Sequence, residues 1–200
     1  MPRVRNPKQT RRAILQAAYE NIHRQGYQAA GLSDILAATG VTKGALYHHF
    51  PNKAALGYAV VDEVLKAYVE TWWLEPIEDT EDPIAVLAGL IDIDVHTDLE
   101  SLIELGCPLN NLAQEMSAID DGFRQRIEAL YRLWRKGIES SLRNSQQRGD
   151  VLGDVDADQA AAFFIAAVEG GLGQAKAAQS SDVFRDCMVG LSRYLLSLRA

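Results

Sequence analysis

The segment over residues 32–50 constrains the fold more than any other part of the sequence, because its pattern predicts two short helices. Leu32, Ile35 and Leu36 fall on one face of a helix over residues 32–39. Gly40 permits a tight turn after it, and Thr42 can cap a second helix over residues 43–49, whose Leu46 would point back at the first. This arrangement is typical of a helix-turn-helix.

Helical periodicity also dominates the rest of the chain, and no segment shows the sustained apolar and polar alternation that indicates a strand. A helix over residues 10–25, ended by Gly26, makes the helix-turn-helix a tri-helical unit. Pro76 is expected to end the helix that begins at residue 53. The remaining expected helices cover residues 53–74, 83–97, 108–117, 123–142, 157–178 and 182–198. The sequence therefore predicts an all-α protein.

Charge is distributed unevenly along the chain. The net charge of −7 argues against binding to phosphate, which needs a positive surface. Residues 1–53, however, carry eight Lys or Arg and two acidic residues, a net of +6, so the remainder carries −13. This asymmetry suggests a basic module that faces DNA on an acidic body. A solvated basic tail is the alternative interpretation.

The two cysteines, Cys107 and Cys187, form no C-x-x-C pair, so neither a disulfide framework nor a zinc site is predicted. The longest apolar run, residues 160–168, is too short to span a bilayer. The basic start of the chain is followed by no apolar signal-peptide core. We therefore expect a cytoplasmic protein without cofactor or metal.

The last two expected helices carry apolar faces that suit a four-helix bundle between two chains. In the first, small and large apolar residues form one stripe, and Gly170, Gly171 and Gly173 would allow a neighbouring helix to approach closely. In the second, apolar residues follow a heptad-like seam from Phe184 to Leu198. A homodimer through residues 157–178 and 182–198 is expected, and packing within one chain is the alternative.

Residues 10–60 resemble the DNA-binding domain of TetR-family transcriptional regulators. The resemblance rests on Gly26-Tyr27, on Asp34-Ile35 and on the run GVTKGALYHHFPNKAAL at residues 40–56. It implies about nine helices, a helix-turn-helix domain over residues 1–52 and an effector-binding and dimerisation domain over residues 53–200. It also implies a ligand-responsive regulator rather than an enzyme: a repressor that a small molecule or an electrophile releases from a palindromic operator.

The resemblance also suggests which residues meet double-stranded DNA. Thr42 and Lys43 open the recognition helix, where free N–H groups suit phosphate or base edges. Gly44 and Ala45 are small enough for a close approach to the groove floor. The other expected contacts are phosphate contacts by Tyr47, His48 and Lys53, and base contacts shared by Lys43, Ala45 and Ser33. The chain departs from the family at Ala30 and Gly31, where a Thr or Ser hydroxyl is usual.

Candidates for the effector site lie in the second half of the chain. Cys107 precedes Pro108 at an expected helix start, where the helix dipole would lower the thiol pKa, and some electrophile-sensing and oxidant-sensing family members look similar here. A buried, inert thiol is the alternative. The other candidates are the aromatic residues Trp134 and Phe163 and the polar residues Asn110, Asn111 and Gln114, each of which could instead be core or surface.

The sequence also contains two partial metal-site patterns and is compatible with one other function. Glu20-x-x-His23 lacks the second copy that a di-iron bundle needs. Asp92, His96 and Glu100 share one helical face, as a solvated polar stripe also would. The rival function is an all-helical ligand-binding or enzymatic protein that does not bind DNA. It is disfavoured because the sequence offers no catalytic set, phosphate loop or complete metal cluster.

Overall fold

The computed structural model describes residues 6–92 and 99–200. Its helices are α1 (Pro7–Gln25), α2 (Leu32–Thr39), α3 (Lys43–His49), α4 (residues 53–78), α5 (Pro83–Leu90), α6 (Leu99–Leu105), α7 (Pro108–Met116), α8 (Asp121–Arg148), α9 (Ala157–Ala178) and α10 (Ser181–Ser197). The described ranges contain no strand, only one antiparallel bridge between Val151 and Arg199. The prediction of an all-α protein of about nine helices is confirmed. The helix expected over residues 83–97 ends at Leu90, and residues 93–98 lie outside the described residues.

Side-chain caps begin the helices where the sequence predicted them. The Thr42 hydroxyl accepts a hydrogen bond from the Ala45 amide at 3.3 Å, and the Asn52 side chain accepts one from the Ala55 amide at 2.7 Å. Gly40 ends α2 with a φ of 60°, a left-handed conformation that favours glycine. The turn between α2 and α3 therefore follows from local chemistry.

Helices α1 and α4 differ from their expected bounds. Helix α1 begins at Pro7 rather than at residue 10, because Asn6 caps the helix and proline suits the first helical position. Helix α4 continues through Pro76 to residue 78, so the expected end at residue 74 is wrong. A π-helical stretch, Val69–Leu74, precedes Pro76, and its wider turn gives the proline ring room that a regular α-helical turn lacks.

The described chain forms two compact units. The N-terminal unit comprises the chain up to residue 67 together with residues 111–128, and the C-terminal unit comprises residues 68–110 and 129–200. The expected domain boundary at residues 52 and 53 is thus not where the compact units divide. Leu56 and Val60 of α4 and Phe123 of α8 are buried in the N-terminal unit, which explains why both helices contribute to it.

The core of the N-terminal unit holds the three short helices together. Leu46 of α3 is 1% exposed, as predicted for the residue that points back at α2. Ile14 and Ala18 of α1 and Ile35 of α2 are also buried. Burying a side chain as large as Ile14, Ile35 or Leu46 stabilises the folded state by roughly 1.5–3 kcal/mol, so these residues help to hold the three helices together.

The C-terminal unit buries the apolar stripes of α9 and α10 within one chain. The buried residues are Ala161, Phe164, Ile165, Val168, Leu172 and Ala175 on α9 and Phe184, Met188, Leu191, Leu195 and Leu198 on α10 or at its end. A Cβ on Gly171 would lie 3.1 Å from Cys187 Cβ, whereas Gly170 and Gly173 face open space. Packing within the chain, the alternative weighed above, therefore applies to these stripes.

Neither a membrane span nor a metal cluster is found in residues 6–92 and 99–200. No helix there is both long and apolar enough to cross a bilayer. No group of three His, Cys, Asp or Glu side chains there is placed to hold a metal ion. His96, a member of the rival metal site, lies outside the described residues.

Candidate functional site

The outer face of α3 exposes the side chains that the sequence assigned to DNA. Thr42, Lys43 and His48 are exposed, and Tyr47 is 40% exposed although its ring is large and apolar. The Lys43 ammonium lies 6.0 Å from the centroid of the Tyr47 ring. Leu46, on the opposite face of α3, is buried in the core. The four exposed side chains therefore form one surface that faces the solvent.

The centre of that surface is open. No heavy atom outside the local backbone lies within 4 Å of the position that a Cβ on Gly44 would occupy. The neighbouring Ala45 is half-buried. The backbone of α3 can therefore approach another surface closely, as entry of a helix into the major groove requires.

Lys53 and Ser33 are less available than the residues of α3. The Lys53 ammonium donates a hydrogen bond to the Gln28 carbonyl at 3.0 Å and lies 4.8 Å from the centroid of the Tyr27 ring. The exposed Ser33 hydroxyl lies 3.5 Å from Asp34 Oδ1. A phosphate contact by Lys53, which the sequence predicted, would compete with its bond to Gln28.

The start of α2 lacks a side-chain cap. Gly31 occupies the cap position with no side-chain hydrogen bond, in agreement with the missing hydroxyl noted in the sequence. Glycine costs only a few tenths of a kcal/mol there relative to a capping side chain. Helix α2 therefore forms without the hydroxyl that could also bind a phosphate.

Sequence reasoning missed Glu115, which holds the turn between α1 and α2. Its carboxylate accepts hydrogen bonds from the backbone amides of Tyr27 and Gln28, each at 2.8 Å. A Cβ on Gly26 would lie 3.0 Å from the same carboxylate, and the φ of 83° at Gly26 also favours glycine. The turn before the helix-turn-helix is thus fixed by a residue of α7, 88 positions later in the chain.

Cys107 lies in the C-terminal unit in a setting that the sequence did not predict. Its thiol donates a hydrogen bond to Glu169 Oε1, with the sulfur 3.2 Å from the oxygen. Burial and the nearby Glu169 carboxylate raise the thiol pKa well above its ordinary value, although the amides of Asn110 and Leu109 favour the thiolate. The expectation of a lowered thiol pKa is wrong, because these effects exceed that of the helix start.

Glu169 is the second residue that sequence reasoning missed. It is 7% exposed on α9, and burial raises the pKa of its carboxyl to about 7, against the hydrogen bonds from Cys107 and Tyr131 that lower it. Burial, followed by the charge of Glu169, raises the pKa of the Tyr131 hydroxyl. No local sequence signal marks Glu169, since its neighbours on α9 belong to an ordinary apolar stripe.

The other effector candidates have different surroundings. Trp134 is buried against Trp73, with ring centroids 5.0 Å apart. Phe163 is 50% exposed and packs on Tyr194 at the outer face of α9 and α10. Asn110 belongs to the C-terminal unit with Cys107, whereas Asn111 and Gln114 belong to the N-terminal unit.

Comparison with known proteins shows the family on both halves of the chain. Residues 14–60 match the family model described as "Bacterial regulatory proteins, tetR family", and residues 84–190 match "Tetracyclin repressor-like, C-terminal domain". The HTH-type transcriptional regulator LmrA of Bacillus subtilis is 32% identical over 165 residues, which cover 82% of this chain and 84% of LmrA.

Two further relatives cover most of the chain. The transcriptional regulator AcuR of Cereibacter sphaeroides is 28% identical over 164 residues, or 82% of this chain and 75% of AcuR. The crystal structure of a regulatory protein TetR from Rhodobacter sphaeroides is 27% identical, with a TM-score of 0.80 over 91% of this chain and 96% of that one. These relatives are transcriptional regulators, and the family is not one of enzymes. The chain belongs to the TetR family of helix-turn-helix, DNA-binding transcriptional regulators.

Proposed function

We propose that the chain is a homodimeric repressor that binds a palindromic operator through α3. It dissociates from the operator when the C-terminal unit binds a small molecule. The observation that carries this proposal is the exposed face of α3, with Gly44 open at its centre and Leu46 buried behind it. TetR-family regulators bind operators as dimers and respond to small molecules, which supports the same scheme.

The proposed contacts divide into two kinds. Thr42, Tyr47 and His48 meet phosphates, while Lys43, Ala45 and Ser33 are placed to reach base edges when α3 enters the major groove. Lys53 contacts a further phosphate in this proposal. Its hydrogen bond to the Gln28 carbonyl supports a second, structural role, in which it ties the start of α4 to the turn before α2. Phosphate contacts set affinity for all DNA, and base contacts set the preferred sequence.

The experiment is selection of binding sites from random duplexes with the full chain. We expect the selected duplexes to be palindromic, with half-site centres about 34–36 Å or a multiple of that distance apart. A pool that stays random after selection, or an enriched sequence without two-fold symmetry, would count against the proposal.

Lys43→Ala provides the first test of the contact surface. If Lys43 neutralises one phosphate or reaches a base next to one, the slope of log affinity against log salt concentration should become shallower by about one. Fluorescence anisotropy with the selected operator measures this slope. Lys66→Ala is the control, because Lys66 is an exposed lysine of α4 outside the proposed surface and should leave the slope unchanged. An unchanged slope together with an unchanged operator affinity in Lys43→Ala would remove Lys43 from the interface.

The proposed dimer interface is the outer face of α9 and α10, since the inner stripes are already buried within the chain. Uncharged residues recur there on α9 at spacings of three and four: Phe163, Ala166, Gly170, Gly173 and Ala177, all exposed. Val189 and Leu196 of α10 are 45% and 52% exposed. Exposed apolar and small residues at helical spacing suit a four-helix contact between two chains.

Phe163→Glu combined with Leu196→Glu tests this interface. We expect the double variant to sediment as a monomer and to bind the operator far more weakly, because it buries two charges at the centre of the contact. Ile119→Glu is the control, since Ile119 is 61% exposed in the N-terminal unit. A double variant that remains a dimer would place the interface elsewhere.

A further inference from the structure

Two glutamates of the C-terminal unit are equally shielded from solvent but differ in their partners. Glu139 and Glu169 are each 7% exposed. The Glu139 carboxylate pairs with the ammonium of Lys136 at 2.9 Å and the guanidinium of Arg143 at 2.7 Å, and these partners lower its pKa. Among the described residues, no cation pairs with Glu169. Its surroundings therefore lack the positive charge that a buried carboxylate normally has.

The groups that do contact Glu169 favour its ionised form. The Cys107 thiol and the Tyr131 hydroxyl both act as hydrogen-bond donors to the carboxyl. The second oxygen, Oε2, is buried and accepts no hydrogen bond from any described residue. A site built from donors around a carboxylate is completed by one more donor, not by an acceptor. A group that binds this oxygen in the carboxylate form must be a donor, and a charged donor would also neutralise the carboxylate.

Aromatic side chains lie along the same stretch of α8. Tyr131 contacts Glu169, and Trp134 follows three residues later, on the same face of the helix. The Trp134 indole Nε1 is buried and donates no hydrogen bond within the described residues. A carboxylate next to the Tyr131 ring would attract an organic cation, because the negative ring face and the anion act in the same direction.

We propose that the Glu169 carboxylate, supported by the Cys107 thiol and the Tyr131 hydroxyl, is the anchor of a binding site for a protonated amine with a small apolar body. Its role as the effector site rests on the proposed function above. Cys107 and Tyr131 are only partly buried, so the residues that surround the carboxyl border the protein surface. Helix α7 begins at Pro108, directly after Cys107, and carries Glu115 near its end.

The test uses the full chain and a series of amines: methylamine, benzylamine and 2-phenylethylamine. Calorimetry and the midpoint of thermal unfolding are measured at pH 8, where Glu169 is mostly ionised and these amines remain largely protonated. Phenylacetate and 2-phenylethanol are the matched anionic and neutral probes. We expect at least one amine to bind and to raise the midpoint, and phenylacetate to do neither.

Variants assign the binding to Glu169. Glu169→Gln should weaken amine binding at least tenfold, and Tyr131→Phe should weaken it severalfold. Glu139→Gln, which removes an equally shielded carboxylate that already has cation partners, should bind as the wild type does. Circular dichroism establishes that each variant is folded. No binding by any amine, equal binding by Glu169→Gln, or tighter binding of phenylacetate would overturn the proposal.

Operator binding is measured in parallel, so that failure of the proposed amine site can be distinguished from failure of the proposed function. Loss of the amine site would leave operator binding intact, whereas failure of the proposed function would remove operator binding without affecting calorimetry. An amine that binds at Glu169 without releasing the operator would overturn the effector role.

Discussion

Gly44→Leu is expected to abolish operator binding while leaving the free protein folded. The added side chain enters open space, since nothing lies within 4 Å of the Cβ position. Leucine also has a higher helix propensity than glycine, by roughly 0.5–1 kcal/mol. Against DNA, however, the same side chain would hold α3 away from the groove floor and break several base contacts, each worth about 1–3 kcal/mol. We expect operator affinity to fall by about 100-fold or more, measured by anisotropy.

The control for this variant is Gly89→Leu. Gly89 is an exposed helical glycine of α5 with open space around its Cβ position, and it lies in the C-terminal unit. It should bind the operator as the wild type does. If Gly44→Leu retains wild-type affinity, α3 is not the element that enters the groove.

The wild type is expected to lose stability as the pH rises towards alkaline values, and the Glu169→Gln variant is expected not to show this loss. The folded-state pKa of about 7 lies above the ordinary value of 4.5, so the folded protein holds this proton more tightly than the unfolded chain. Its stabilising contribution is complete below about pH 4.5 and is lost as pH rises through about 7. From pH 5 to pH 8.5, the free energy of unfolding of the wild type should fall by about 2–3 kcal/mol relative to Glu169→Gln.

Urea unfolding at several pH values measures this difference. The thiol of Cys107 and the hydroxyl of Tyr131 contribute little in that range, because their ordinary pKa values of 9.0 and 10.0 already lie above pH 8.5 and folding raises them further. Glu139→Gln is the control with the opposite sign: cations lower the pKa of Glu139, so its contribution is lost only in acid. A pH-independent difference between wild type and Glu169→Gln would contradict the assigned burial.

The helix-turn-helix could be predicted from the sequence because its determinants are local. The cap at Thr42, the turn at Gly40 and the inward Leu46 all act within a few residues, and the structure places each as expected. The early start of α1 was also readable in Asn6 and Pro7, which pair a cap with a first-turn proline.

The residues that long-range packing determines could not be predicted. Glu115 reaches a turn 88 positions away, and Glu169 meets a thiol 62 positions away. Each looks like an ordinary charged residue of an amphipathic helix until the fold brings its partners together. The thiol pKa shows the same limit: the local effect of the helix start favours the thiolate, but burial and Glu169 exceed it.

The apolar stripes of α9 and α10 illustrate a different limit. Periodicity shows that a face is apolar but not which surface covers it. The residues from Phe164 to Ala175 and the seam that begins at Phe184 are covered within the chain. The smaller outer face around Gly170 and Gly173 is left open within the chain.

The central claim is that this chain reads DNA sequence through the helix-turn-helix. The most direct measurement compares the affinity of the full chain for its selected operator with that for a scrambled duplex of the same length, at one fixed salt concentration. We expect the operator to bind about 10³-fold more tightly or better, with both affinities falling as salt rises. Equal affinity for the two duplexes would contradict the claim.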